Sequence, residues 1–409
     1  MRILAIGQSY FNTTPFGPVF RQAGYEFLSI GWNQHEQYDV IIQEPLIRWD
    51  DLLTLLPSSF TPDIIIYFDH SEPIRIIGLE EATIPTIFYS VDIHIHTRWH
   101  PQWSGCFDLC LLAMKEYMAL FEGGKYTPPT FWFPLWSNQM GPAPTTKRDV
   151  DASFRGSLGL THPKRKIFLT GVRKKINLDF GGGPFFDLYN NSKIILNDCI
   201  NDDLNWRVFE AMSSGALLLT PLVSLETLEL FPANECLITY RAHDVDDAVD
   251  KIQFYLSHQH ERLRIAQNGY DAVKRKHTAT HRAEALLNHI LNIKQRSQNA
   301  KRFSAIISYI NMAKYLRFDE PQFMHRFICA AWDAIDKLIT RSELFNISAV
   351  NELLQQCITI REFFSEIYSP CVEQLNDTIA SLEQLQALLT PGGGNTHGLA
   401  PSHIPTVLS

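Results

Sequence analysis

Arg207 and Glu210 stand three residues apart in the segment 205–220, NWRVFEAMSSGALLLT, where a short helical pattern runs through a glycine into an apolar run. An ionised carboxylate offers two acceptor oxygens that a vicinal diol can fill, and a guanidinium can meet phosphate oxygens bidentately. Leu204, Val208, Ala211 and Met212 recur at helical spacing as an apolar stripe, which leaves Arg207, Glu210 and Ser214 on another sector. Gly215 supplies the left-handed stop, and 216–220 reads as a buried parallel strand. On a wet surface such an Arg–Glu pair would contribute only roughly a few tenths of a kcal/mol. The surroundings therefore decide between a ligand clamp and a solvated pair.

A second group of residues suits an anion. The motif FRGSLGLTHPKRK, residues 154–166, reads strand, glycine turn, helix: Gly156 and Gly159 permit close backbone approach, and the start of a helix at Pro163 offers free amides. It has neither the GxGxxG fingerprint nor a GK[ST] ending. Between residues 157 and 178 lie Lys164, Arg165, Lys166, Arg173, Lys174 and Lys175 with no acid, which is either an anion site or a solvated basic face. The glycines 181–183, followed by Phe185, Phe186 and Tyr189, form a further permissive loop, read either as an approach to a flat base or as a plain turn before core aromatics.

The third loaded segment is SVDIHIHTRWH, residues 90–100. On an extended chain the D-x-H-x-H spacing puts Asp92, His94 and His96 on one side. They could ligate zinc or iron, orient a hydroxyl and take its proton, or serve the fold. The loop 8–17, with Ser9, Asn12, Thr13 and Thr14, carries polar groups suited to hydroxyl ligands or to ordinary loop capping.

The elements that position these groups alternate in the α/β manner. Apolar runs at 3–6, 26–30, 64–68, 86–91, 109–113 and 130–133 read as strands of a doubly wound first domain, residues 1–145, and the proline-bearing stretch 141–150 as a linker. A second αβ domain, residues 150–295, has strands expected at 153–158, 177–180, 193–196, 216–220 and 236–240. Its helices are expected at 163–175, where 167–170 would also suit a strand, and at 204–214 and 244–256, with a long helix at 259–276 closing the unit. Residues 300–390 are helical in period and form an appendage, whereas the Gly- and Pro-rich 391–409 is a flexible tail. Two such αβ domains create a cleft at the carboxyl ends of their strands.

Composition narrows the partners. At 409 residues the chain is too long for one core, and its 45% hydrophobic and 20% charged content is that of a globular protein. A formal charge of −8 argues against a general nucleic-acid binder. The sequence has no apolar stretch of about 20 residues, as a transmembrane segment needs, and no signal-peptide core at its start. Seven scattered cysteines without a CxxC pair suit a cytoplasmic protein.

Taken in order, FRGSLG…HPKR, LDFGGG, LYNNSKIILNDCINDDLNWRVFEAMSSGALLLTP, LFPANECLITYRAHDVDDAVDKIQFYL and NGYDAVKRKHTATHRAEALL resemble the carboxyl-terminal half of glycosyltransferases related to spore maturation proteins (CgeB-like), in the group 1 GT-B class. The resemblance covers about residues 150–290; the first 150 residues share only the pattern. It implies two Rossmann-like domains facing a cleft, the second binding a nucleoside diphosphate sugar and the first an acceptor, which could be a glycan, a protein or a small molecule. It implies no cofactor and no metal at the diphosphate. Glu210 would be the ribose-diol carboxylate and Arg207 a residue on the phosphate side, with Gly156 and Ser157 in the diphosphate turn and Arg165 nearby. Many relatives carry two glutamates separated by seven residues; eight positions before Glu210 stands Asp202, one methylene shorter, with Asp203 beside it. In this reading Asp92 and His94 serve the acceptor and Asp202 the sugar, with retention of configuration favoured. The helical appendage would pack on the body, mediate self-association or hold a protein. The competing readings are a non-catalytic GT-B scaffold and a metal-dependent hydrolase using Asp92, His94 and His96.

Overall fold

The computed structural model describes residues 1–32, 37–124, 126–158, 162–199, 203–222, 224–316, 321–340, 347–364, 376–380, 382–384 and 386–387. The chain divides into two compact units, Met1–Ser297 and Gln298–Ser409. In the first, the early strands are β1 (Arg2–Ile6), β2 (Glu26–Gly31), β3 (Val40–Ile41), β4 (Ile47–Arg48), β5 (Ile64–Phe68), β6 (Ile76–Ile77), β7 (Thr86–Ser90), β8 (Leu109–Leu112) and β9 (Thr130–Trp132). Seven of them form a parallel sheet in the order β3-β2-β1-β5-β7-β8-β9, and β4 pairs with β6 separately. Every residue of β5 and of β7 is buried, as expected of parallel strands covered on both faces.

A second parallel sheet follows, built from β10 (Val150–Arg155), β11 (Leu178–Gly181), β12 (Ser192–Leu196), β13 (Leu217–Pro221) and β14 (Ile238–Tyr240) in the order β11-β10-β12-β13-β14. Its core joins Phe154, Ile194, Leu196 and Leu217 to Phe168 and Val172 of the helix Pro163–Arg173 and to Ile252 of the helix Val245–Ser257. The strand order reverses between β1 and β5 in one sheet and between β10 and β12 in the other. At each reversal the flanking connections leave towards opposite faces, which opens a crevice at the carboxyl ends of the strands.

The helix Trp206–Ser213 ends at Gly215, which has φ +80° as the sequence suggests. A Cβ there would also lie 2.5 Å from the Pro142 carbonyl oxygen. The long helix Gln259–Lys276 does not close the unit as the sequence reading expects. A further helix, Ala279–Asn292, follows and packs on the helix Phe16–Gln22 beside the first sheet. Arg282 on this returning helix donates to the carbonyls of Pro134 and Leu135. The two sheets are also tied by the Ser137–Ser213 hydroxyl pair at 2.7 Å and by Lys115, whose ammonium lies 2.6 Å from Glu229.

The second unit is helical over its described elements, Gln298–Leu316, Pro321–Thr340 and Ile347–Phe364, in agreement with the period of the sequence. The tail 391–409 lies outside the described residues. Among the described residues no helix is long and apolar enough to cross a membrane.

Arg148 is the buried fastener of the linker. Its Nη1 donates to the carbonyls of Tyr189, Asn190 and Ser192, and its Nη2 to those of Pro142 and Ser214. Burial lowers its pKa to about 10, so it remains a cation at neutral pH. Arg148→Met keeps much of the volume but strands these carbonyls, and should cost about 3 kcal/mol or more. Urea unfolding of both proteins measures this; a difference near zero would contradict the assignment.

Candidate functional site

The crevice of the second sheet is spanned by one side chain. Arg207 enters from the first turn of the helix Trp206–Ser213, donates from Nε to the Arg155 carbonyl at the end of β10 (2.9 Å) and from Nη1 to Asn197 Oδ1 beyond β12 (2.7 Å). Its guanidinium carbon lies 4.4 Å from the centre of the Phe154 ring. A Cβ at position 156 would stand 2.4 Å from Arg207 Nη2, so glycine is what lets the guanidinium lie across the strand ends. Glu210, one turn further along the same side of the helix, lines a cavity.

That cavity, about 300 Å³, is at the lower end of the range of small-molecule sites. One wall is Trp206 and Glu210; the opposite wall is the crevice of the first sheet, with Gln8 and Tyr10 beyond β1, Asp69 and Ser71 beyond β5, and Asp92 beyond β7. Asn138 completes it and is held by Trp136, whose indole N–H donates to Asn138 Oδ1 at 2.8 Å. Aromatic contacts join the walls: Trp136 lies 4.8 Å from Trp206 and 5.2 Å from Tyr10, centroid to centroid. The strand-order reversal of the first sheet thus shares one cavity with the helix that Arg207 ties to the reversal of the second.

Three carboxyl groups line it, and their surroundings set them apart. Burial alone would raise Asp69. His100 and the amides of Asp92 and Ser71 outweigh it, and the carboxyl is held below its ordinary range. The amides of Val91 (3.1 Å) and Asp92 (2.7 Å) both donate to Asp69 Oδ2. Asp92 bonds the Ser71 hydroxyl and is pushed up to about 7 by burial and by the charges of Asp69 and Asp203. Glu210 is raised to about 7 by burial, against the pull of Arg207.

Beneath Asp69 lies a histidine cluster. Burial lowers the pKa of His94 and His96, and takes His70 down to about 4 and His100 to about 3. All four imidazoles are therefore neutral at pH 7. Asp69, His96 and His100 each bring one ligand atom within 4.8 Å of the other two.

The D-x-H-x-H expectation is corrected here. β7 ends at Ser90 because Asp69 captures the next two amides, and the chain turns into the short helix Ile93–His96. The alternation of an extended strand is lost, so Asp92 faces the cavity while His96 is buried below it. His100, four residues beyond His96, is the partner that the reading overlooked; its signal was the HxxxH spacing.

The remaining expectations find these places. Arg165 is buried and occupied by the protein itself: Nε meets Asp198 Oδ2 at 3.1 Å, Nη1 the Ser157 carbonyl at 3.2 Å, and Nη2 the Asp198 carbonyl. It fixes the turn after β10 rather than presenting a loose cation. Gly156 donates its amide to the Gly181 carbonyl (3.0 Å), and Ser157 is exposed at the turn. Tyr189 is buried and receives the Arg155 amide on its hydroxyl. Thr13 and Thr14 cap the carbonyls of Ser9 and Tyr10. Asp202 lies outside the described residues. Gln8, Tyr10, Asp69, Ser71, Asn138 and Trp206 line the cavity beyond the sequence expectations; Trp206, directly before Arg207, and Asp69, directly after IIIYF, carry the clearest sequence signals.

Residues 157–288 match the family model described as glycosyl transferase-like. The sequence matches no curated protein. Among solved structures, the chain resembles a glycosyltransferase from Rickettsia africae at TM-score 0.51 and 10% identity, over 71% of this chain and 98% of that one. The pneumococcal O-GlcNAc transferase GtfA, solved with UDP and GlcNAc, gives 0.51 and 11% over 71% and 98%. HepE of Anabaena, solved with UDP and glucose, gives 0.50 and 11% over 72% and 100%. The fold is GT-B. In GT-B terms the cavity lies where the two Rossmann-like halves face each other, and the matched segment contains the helix of Arg207 and Glu210.

The geometry around Gly156 gives a double-mutant test. Gly156→Ala should drive the pinned guanidinium off the strand ends at a cost of about 1–3 kcal/mol. In an Arg207→Ala background the same change should cost at least about 1 kcal/mol less, because the two sites are in contact. Urea denaturation of the four proteins measures the coupling; strict additivity would mean that Arg207 does not occupy this place.

Proposed function

We propose that the protein transfers a sugar from a nucleoside diphosphate sugar to an acceptor, with the donor held by the second sheet and the acceptor by the first. The observation that carries this reading is the cavity with Glu210 and Trp206 on one wall and Asp69, Ser71 and Asp92 on the other. Aromatic faces beside carboxylates and amides suit the apolar faces and hydroxyls of a sugar. HepE and GtfA are solved with UDP bound, which makes a UDP-sugar the first donor to try.

In this reading residues 1–145 are the acceptor side and 150–295 the donor side. Glu210 accepts hydrogen bonds from the ribose diol. Arg207, whose bonds to Arg155 and Asn197 leave some of its five N–H donors over, faces the diphosphate together with the turn at Gly156 and Ser157. Arg165 acts through that turn by holding the Ser157 carbonyl and Asp198. Departure of the diphosphate is stabilised by these cations and by helix amides, without a metal at that position. Asp92 and His94 orient the acceptor hydroxyl, and Asp202 keeps the place of the acid nearest the sugar. Retention of configuration and a cytoplasmic location complete the proposal, and the helical appendage is a surface for self-association or a protein partner.

Glu210→Ala should reduce donor turnover by more than tenfold without loss of fold. The pH dependence has a defined sign. Only the carboxylate accepts both diol protons, and with a pKa near 7 in the empty site it is increasingly protonated as pH falls. Wild-type affinity for UDP should therefore weaken from pH 8 to pH 6, while Glu210→Ala should show a flatter profile. Calorimetry and a donor-hydrolysis assay on both proteins test this; unchanged affinity together with normal turnover in the variant would sink the assignment.

A further inference from the structure

We propose that Asp69, His96 and His100 form a binding site for one divalent first-row cation, of the Zn²⁺ type, in the wall of the cavity opposite Glu210. Each of the three is buried, at 3%, 8% and 0% exposure. The ring nitrogens His96 Nε2 and His100 Nε2 are shut off from solvent and make no hydrogen bond. Two buried donor-or-acceptor atoms left open are costly to a fold unless they serve a ligand. They converge with a carboxylate oxygen within 4.8 Å, and His100 Nε2 lies 3.7 Å from Asp69 Oδ1.

The supporting bonds suit this use. Of the oxygens of Asp69, Oδ2 accepts the amides of Val91 and Asp92, and Oδ1 accepts only the Ser71 amide at 2.8 Å, which leaves Oδ1 a lone pair on the side of His100. His100 Nδ1 is bonded to the Ser90 hydroxyl at 2.8 Å; that bond, with the proton on Nδ1, fixes the tautomer whose Nε2 lone pair is available. His96 and His100 descend from consecutive turns at i, i+4, and Asp69 comes from the adjacent strand end. Two imidazoles and one carboxylate are a donor set for Zn²⁺ and its neighbours. A tetrahedral ion would draw the three atoms to about 3.4 Å from one another, a modest side-chain movement from the present spacing. Three protein ligands leave a coordination position for water or an acceptor oxygen, and Asp69 already forms part of the cavity wall.

One contact opposes loading and supplies a specific test. The Trp99 indole N–H, a donor only, points at His96 Nδ1 (3.2 Å), which places the His96 proton on Nε2 in the empty site. A cation on Nε2 must move that proton to Nδ1, where it meets the indole proton. Removing the indole donor should therefore tighten binding while removing a ligand weakens it.

The test uses the full chain, expressed without a histidine tag, stripped with a chelator and titrated with ZnCl₂ by calorimetry. Wild type should bind one equivalent, His96→Gln and His100→Gln should each lose at least tenfold in affinity, and Trp99→Phe should gain at least threefold. Failure of wild type to bind, or binding by both histidine variants at wild-type affinity, would overturn the site. Because His100 is fully buried and its variant could fail to fold, wild type is also loaded with Co²⁺. The visible bands of a four- or five-coordinate centre support the site, and a spectrum identical to aqueous Co²⁺ refutes it. None of these readings depends on transferase activity.

Discussion

The bond from Arg207 to the Arg155 carbonyl and to Asn197 is the constraint on which the site depends. It ties the helix Trp206–Ser213 across the gap between β10 and β12, the point where the second sheet reverses its strand order. Once the helix is so placed, Trp206 meets Trp136 and Glu210 must look into the cavity. The absence of a side chain at Gly156 is part of the same arrangement, since any Cβ would occupy the guanidinium's space. Arg165 performs a related task one layer deeper, pairing with Asp198 so that the turn after β10 and the loop after β12 keep a fixed distance.

On the facing wall the organising group is Asp69. Its two-amide capture ends β7 and presents Asp92 beside Ser71, while its charge and the burial of the site keep Asp92 near neutrality. An ionised carboxylate buried among neutral imidazoles is costly unless its lone pairs are filled, and the backbone amides fill most of them. The cavity thus holds one firmly charged acid and two whose charge is marginal at neutral pH, Asp92 and Glu210. Such a separation of carboxyl groups by environment lets one site bind hydroxyls in more than one protonation state.

Much of this was legible in the chain. Strands with every residue apolar, such as IIIYF, declared a parallel sheet; Pro163 opened its helix and Gly215 ended another; the stripe Leu204, Val208, Ala211, Met212 put Glu210 on the polar side. Local pattern encodes these features directly. What it could not encode were bonds between residues distant in sequence. The capture of the Val91 and Asp92 amides by Asp69 replaced an extended D-x-H-x-H with a helix, and the partnership of Arg165 with Asp198 turned a basic-patch residue into a buried strut. Trp136 and Trp206, 70 positions apart, meet where the Ser137–Ser213 hydroxyl pair and the returning helix Ala279–Asn292 tie the two sheets together.

Whether the cavity binds a nucleoside diphosphate sugar is decided by calorimetric titration of the wild-type chain with a panel of UDP, GDP, CDP and dTDP sugars. One nucleotide class should bind saturably at one equivalent, and its free nucleoside diphosphate should compete for the same site. Absence of binding by the whole panel would contradict the proposed function.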